Sequence, residues 1–174
     1  MKFKAFLLVL FSVLTSFAYA QNESGEDDGY LYVFYGRIFL ENDKGNGVTV
    51  RLYDDNSLIS SYKTDKKGKF NVGTPSAKHY TLEFVKNGFV TKRVIINTKK
   101  VYLAKGRVED FDFNVHLIKQ EIDVDYSILD FPIALIEYKK SIKGFDYNRK
   151  YTRQMHKIQN QVVADGFATL VAAL

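Results

Sequence analysis

The chain of 174 residues has no cysteine and no tryptophan, and only two prolines and three histidines. Without cysteine there is no thiol nucleophile, no thiolate metal ligand and no disulfide to staple the fold. So few prolines leave extended runs free to pair along their length. No Gly-x-Ser-x-Gly elbow, phosphate loop or GxGxxG fingerprint occurs, which removes the commonest sequence signs of hydrolase, nucleotide and dinucleotide chemistry. Charge of either sign is not in large excess: the formal net charge is +5, and two of those charges are Lys2 and Lys4 at the N-terminus. So mild a balance gives no reason to expect a nucleic-acid partner.

Aromatic residues are what the chain does have, with 14 Phe and 12 Tyr. Spread over short alternating runs, they suit an all-β domain with well-filled inner faces. The first 20 residues read as a secretory signal peptide. Lys2 and Lys4 are the basic region, Ala5 to Leu14 the apolar core, and Ala18-Tyr19-Ala20 the small-x-small cleavage site. No cysteine follows to take a lipid. A secreted domain without disulfides relies on its core alone, which points to a bacterial envelope, periplasmic or outer-membrane-associated. Residues 21–29, with Glu23, Glu26, Asp27 and Asp28 and no apolar side chain, read as a flexible acidic leader.

From Tyr30 onward the period is two. Tyr30 to Leu40, Val48 to Tyr53, Leu58 to Thr64, Phe70 to Gly73, Tyr80 to Phe84, Val90 to Ile96 and Phe111 to Leu117 predict seven strands. The corner Thr64-Asp65-Lys66-Lys67-Gly68-Lys69-Phe70 organises them. Asp65 is placed to accept backbone N–H groups ahead of it, and Gly68 to take the positive φ that closes the turn. Asn87-Gly88 predicts a two-residue hairpin that sets Tyr80, Leu82 and Phe84 on one face with Val90, Val94 and Ile96.

Gly36-Arg37-Ile38, Gly47 to Leu52, Thr64-Asp65-x-x-Gly68-x-Phe70, Tyr80-x-Leu82-x-Phe84 and Asn87-Gly88-Phe89 come in one order and spacing. That ordered set resembles the carboxypeptidase regulatory-like domain, a transthyretin-type β-sandwich of bacterial envelope proteins, over about residues 35 to 117. Two positions depart from the family pattern: His79 precedes Tyr80 where the family has Gly, and no Pro precedes Val48. The resemblance implies a seven-stranded antiparallel immunoglobulin- or transthyretin-like sandwich at 30–118, with an accessory role and no catalytic residues. Related sandwiches hydrolyse cyclic ureides and end in a Tyr-Arg-Gly-Ser-like tetrapeptide. Val171-Ala172-Ala173-Leu174 differs from it, so that activity is not expected.

After Ile118 the reading is more open. Residues 119–145 are an extended connector or arm, and within it 131–138 suits a strand or a short helix equally, being apolar on both faces. Asp146 is the expected N-cap of an amphipathic helix at 146–163. Tyr147, Tyr151, Met155, Ile158 and Val162 form its apolar row, beside a cationic row of Arg149, Arg153 and Lys157. An apolar tail at 164–174 is too short to cross a bilayer, so no transmembrane span is expected after the signal peptide.

No constellation reads as catalytic, cofactor-binding or metal-binding. His79, His116 and His156 share no ligand spacing. Asp54, Asp55 and Asp65 have calcium-type oxygens, but turn chemistry explains them better. The expected function is therefore a secreted, non-enzymatic module contacting an envelope protein or an anionic envelope surface through Arg149, Arg153, Lys157, Tyr147 and Tyr151. Asp65, Gly68, Asn87 and Gly88 serve as structural turn residues. The alternative is a carbohydrate-binding accessory module that uses the aromatic stretch Tyr30-x-Tyr32-x-Phe34-Tyr35 as a flat exposed row. A cryptic hydrolase is the second alternative, and it needs His79 or His116 to meet a carboxylate in a cleft.

Overall fold

A computed structural model describes residues 31–172 except 42, 75–77, 100–107 and 123. The expected signal peptide, the acidic leader and Tyr30 lie outside the described residues. Two sheets face each other across one core. In the first, β1 (Leu31–Leu40) lies between β5 (Lys69–Thr74), antiparallel to it, and β8 (Val108–His116), parallel to it; the two-residue β2 (Asp43–Lys44) folds back on the end of β1. In the second, the order is β10 (Gly144–Tyr147), β9 (Ala134–Lys139), β7 (Lys92–Asn97), β6 (His79–Val85), β3 (Thr49–Asp54) and β4 (Ser57–Lys63). Helix α1 (Arg149–Ala172) ends the described chain. The fold class is the expected one, a mainly β sandwich with a C-terminal helix.

The period-two pattern is what builds the core. Tyr32, Phe34 and Ile38 of β1, Phe70 and Val72 of β5, and Phe113 and Val115 of β8 face Val50 and Leu52, Tyr80, Leu82 and Phe84, and Val94 and Ile96 across the sandwich, all buried. Edge-to-face rings knit the two sheets: Phe70 meets Phe84 at 5.3 Å and Phe113 at 5.2 Å.

Several expectations need correction. Ten strands are described in place of seven, and two pairings, β1 with β8 and β7 with β9, are parallel. The stretch 119–145 is not an extended arm. It holds a 3-10 turn at Ser127–Asp130 and then β9, so that the strand-or-helix stretch 131–138 resolves to strand from Ala134 onward, followed by the start of β10. Phe145 of β10 packs on Phe34 at 5.0 Å and Tyr32 at 5.8 Å, which places the C-terminal hairpin inside the sandwich core. Local periodicity could not show this, because β9 joins the sheet through β7 and Phe145 packs on β1, both far away in sequence.

The helix runs from Arg149 to Ala172, not over 146–163, so the expected tail belongs largely to it. Asn148, not Asp146, caps it: its Oδ1 accepts the Tyr151 N–H at 3.2 Å. Pairing of Tyr147 with Ile136 keeps the chain extended two residues longer than capping propensity alone suggests.

Asn87-Gly88 does turn, with Gly88 at φ +78° and the Phe89 N–H donating to the Lys86 carbonyl at 3.1 Å. It is not a two-residue hairpin, since β6 and β7 begin pairing only at Phe84 and Lys92. Phe89 and Val90 are drawn off to Lys119 and Ile118 instead. Tyr80, Leu82 and Phe84 still share the core with Val94 and Ile96, and Val90 is buried beyond the paired region.

The Asp65 corner forms as expected. Asp65 Oδ1 accepts the Lys67 and Lys69 N–H groups, each at 2.8 Å, and those bonds hold its carboxyl below the usual range, Lys69 first. Gly68 sits at φ +72°, and a Cβ there would stand 2.5 Å from the Ile38 carbonyl oxygen. Gly68→Val therefore combines left-handed strain, about 1–3 kcal/mol, with a backbone clash. We expect a lowered thermal midpoint in calorimetry; an unchanged midpoint would show the corner to be dispensable.

Candidate functional site

Helix α1 is seated by three polar anchors and one buried side chain. The Asn148 N–H donates to the Leu135 carbonyl at 2.7 Å, tying the cap to β9. The Tyr151 hydroxyl donates to the Pro132 carbonyl at 2.7 Å, and Lys92 Nζ donates to Gln159 Oε1 at 2.6 Å. Met155 is buried between them. Farther along, Gly166 allows close approach, since a Cβ there would lie 2.9 Å from Val124 Cγ2.

The expected apolar row is thus only partly the docking row. Tyr147 belongs to β10, where its ring packs on Phe111 at 5.4 Å. Tyr151 is half-buried, as are Ile158 and Val162. The helix residues lining the clefts beneath it are Thr152, His156, Gln159, Asn160, Val163 and Ala164, a stripe rotated from the one that hydropathy alone selects. Polar Thr152 and Gln159 face inward, so an apolar pattern could not find them.

Arg149, Lys150, Arg153 and Lys157 are all exposed. Arg149 reaches Asp146 at 3.4 Å; no ion pair reaches Arg153 or Lys157 among the described residues. Asp146, lost as a cap, instead accepts Lys139 Nζ at 3.1 Å, and that bond is the main reason its carboxyl lies below the usual range.

A second surface is the outer face of the β1–β5–β8 sheet, a groove of about 700 Å³ lined by Tyr35, Arg37, Tyr62, Asn71, Asp112 and Asn114 among others. Of the expected aromatic row, Tyr30 lies outside the described residues, Tyr32 and Phe34 are core, and Tyr35, 37 % exposed, faces this groove, so its described members form no flat exposed row. Tyr62 guards the edge of β5: its hydroxyl donates to the Asn71 carbonyl at 2.9 Å and accepts the Asn71 N–H at 3.2 Å. Burial pushes that phenol up to about 12.

The remaining candidates do not assemble. Asp55 and Asp65 lie at opposite ends of β4, a strand of 7 residues, about 20 Å at the usual rise. Asp54 is engaged by Lys78 at 2.6 Å. His79 is exposed at the start of β6, His116 stacks on Phe39 at 4.9 Å, and His156 shares a 3.4 Å contact with Asn160. His116 and Glu41 border one cleft, and no hydrogen bond joins them among the described residues. No metal-holding cluster of His, Asp and Glu occurs among the described residues, and no described helix is long and apolar enough to cross a membrane.

The group that the sequence reading passed over is Lys92, although period two sets it on the same strand face as Val90, Val94 and Ile96. It occupies the inward register between Phe84 and the Val94 position, and is 1 % exposed. Burial lowers its ammonium to about 8. His116, His156 and Tyr147 border the same cleft, and burial raises the Tyr147 phenol.

No protein-family model matches this chain, and no curated protein matches it. Among solved structures, the Bacillus anthracis TIE protein is 18 % identical over 52 % of this chain and 17 % of its own, with a TM-score of 0.41. A DUF3823 family protein from Parabacteroides merdae is 16 % identical over 52 % and 47 %, with a TM-score of 0.37. Klebsiella pneumoniae 5-hydroxyisourate hydrolase is 14 % identical over 51 % and 99 %, with a TM-score of 0.34. The chain spans less than half the length of the first two. Likeness at this level is one of partial strand arrangement and carries nothing about activity.

The lowered Lys92 value has a definite sign. Between pH 8 and 10.5 the unfolded chain holds a proton that the folded chain has lost, so this group makes stability rise with pH across that window. Below pH 8 the full desolvation cost is present, about 3 kcal/mol at ~1.4 kcal/mol for each unit of pKa. We expect Lys92→Met to exceed the wild type in urea unfolding at pH 7, with the gap closing toward pH 10. A gap independent of pH would show that the ammonium is not desolvated.

Proposed function

We propose that this chain is a secreted, non-enzymatic module of the bacterial cell envelope, of the carboxypeptidase regulatory-like type, that contacts an anionic partner through the outer face of α1. The observation that supports this most is the seating of the helix. Met155 and the polar anchors hold one face on the sandwich, and Arg149, Lys150, Arg153 and Lys157 are left in solvent. A rigidly held row of cations attracts an acidic surface at long range and loses that attraction as salt screens it. The partner is an acidic envelope protein, with the anionic lipid surface of a membrane as the competing target.

The experiment is charge reversal of Arg149, Arg153 and Lys157 to Glu, with pull-down from envelope fractions and sedimentation with anionic and neutral vesicles. At low salt the triple variant should lose most of its association while its thermal midpoint stays close to wild type. Association that ignores both the variant and the salt concentration would leave the row as an ordinary solvated helix face.

A second reading rests on the groove of about 700 Å³ on the outer sheet face. There Tyr35 stands between Asn71 and Asp112 in register, a ring flanked by hydrogen-bonding side chains, as sugar recognition requires. Tyr35→Ala should then abolish retention on an immobilised envelope glycan. Unchanged retention, or no retention by the wild type, removes the carbohydrate reading.

A further inference from the structure

Beneath the first half of α1 lies a cleft of about 190 Å³, bounded by β7, β8, the Ile133–Ala134 segment and the helix. Its walls divide by chemistry. Val94, Phe113, Val115, Ile133 and Ala134 make an apolar floor. Over it, Thr152, His156 and Gln159 descend from one helix face at spacings of four and three, and Lys92 rises from β7.

Two features of this cleft are costly to the fold alone. Lys92 is 1 % exposed, donates to no carboxylate among the described ion pairs, and has one oxygen partner, Gln159 Oε1 at 2.6 Å. Thr152 Oγ1 is buried with no hydrogen-bond partner among the described residues. A methionine at Lys92 and a valine at Thr152 would fill the same space without either penalty. No Asp or Glu borders the cleft, so none of the side chains lining it carries a counter-charge for the Lys92 ammonium. That cation has two donors to spare after Gln159.

We propose that this cleft binds a small organic acid, its carboxylate seated on Lys92 and His156 and its short apolar body laid against Phe113 and Ile133. The carboxylate supplies the counter-charge that the protein omits, and a charge-assisted bond in so enclosed a place is stronger than one at the surface. Thr152, about two helical turns from Gln159, stands at the far end and accommodates a hydroxyl or keto oxygen. The size limits the guest: the space equals about six waters at ~30 Å³ each, enough for butyrate or benzoate and too little for a sugar acid chain. The cleft does not include the cationic row: Arg149, Arg153 and Lys157 are exposed on the neighbouring helix face and none of them lines it.

The test uses the whole chain with butyrate, 4-hydroxybutyrate, benzoate and inorganic phosphate as probes, followed by amide chemical shifts. Saturable shifts with either organic acid, centred on 113–116 and 152–159, are expected. Lys92→Met should weaken that binding at least tenfold, and Thr152→Val should leave butyrate binding nearly unchanged while weakening 4-hydroxybutyrate. If Lys92→Met does not fold, the location of the wild-type shifts decides the matter. Shifts elsewhere, no saturation with either acid, or phosphate binding as tightly as butyrate would overturn the proposal, the last because the apolar floor would then contribute nothing.

Discussion

The structure depends on the corner at Thr64 to Gly68, where the chain passes from one sheet to the other. Thr64 is bonded to Val48 through both its N–H and its hydroxyl, so the end of β4 is held to the start of β3. Four residues later the Gly68 carbonyl accepts the Ile38 N–H at 2.8 Å, and the Ile38 carbonyl accepts the Gly45 N–H at 2.9 Å. One short turn therefore closes backbone bonds to both layers. Its Asp65 side chain satisfies N–H groups that have no strand partner, and its glycine permits a contact that any Cβ would block. The relative placement of the sheets, and hence the interdigitation of Phe70 with Phe84 and Phe113, follows from that closure.

The same economy appears at the C-terminal end. β9 adds to β7 in parallel, which requires the chain to leave the sheet after Asn97, build β8 in the opposite layer and return. The return is secured by Arg93, which bonds Glu83 at 3.0 Å and the Asp130 carbonyl at 2.9 Å. β10 then delivers Phe145 to Tyr32 and Phe34 in the first strand. The helix inherits its position from this hairpin through Asn148 and Leu135. An isolated helix with so few apolar anchors would be marginal in water. Here the strand before it and the Lys92–Gln159 bond within it decide where it lies.

Polar groups placed inside give the molecule its distinctive regions. Glu83, largely buried, is balanced by Arg51 at 3.1 Å and Arg93 at 3.0 Å. Lys92 has no such counter-charge among the described ion pairs. The contrast between a neutralised carboxylate on one face of the sheet and an uncompensated ammonium on the other separates a structural network from a binding-type cleft. The exposed cations of α1 differ again, since solvent screens them and they cost the fold little.

The sequence by itself determined the sandwich class, the inward faces of the first strands and the Asp65–Gly68 turn. These rest on local chemistry: a period of two, a side chain that bonds its own backbone, and a residue without Cβ. It also placed Arg149, Arg153 and Lys157 on one exposed row, because helical spacing is local too. Only the tertiary structure decided the parallel pairings, the absorption of 134–147 into the sandwich, the shift of the cap from Asp146 to Asn148, and the widened loop at Asn87-Gly88. In each case strand pairing competes with a local preference and wins, by burying Ile136 and Phe145, by pairing Tyr147 with Ile136, or by pairing Phe89 with Lys119. Lys92 divides between the two. Period two already sets it on the face of Val90, Val94 and Ile96, and only the tertiary structure decides that this face is covered there, with Lys92 in register with Phe84 and bonded to Gln159 of the helix.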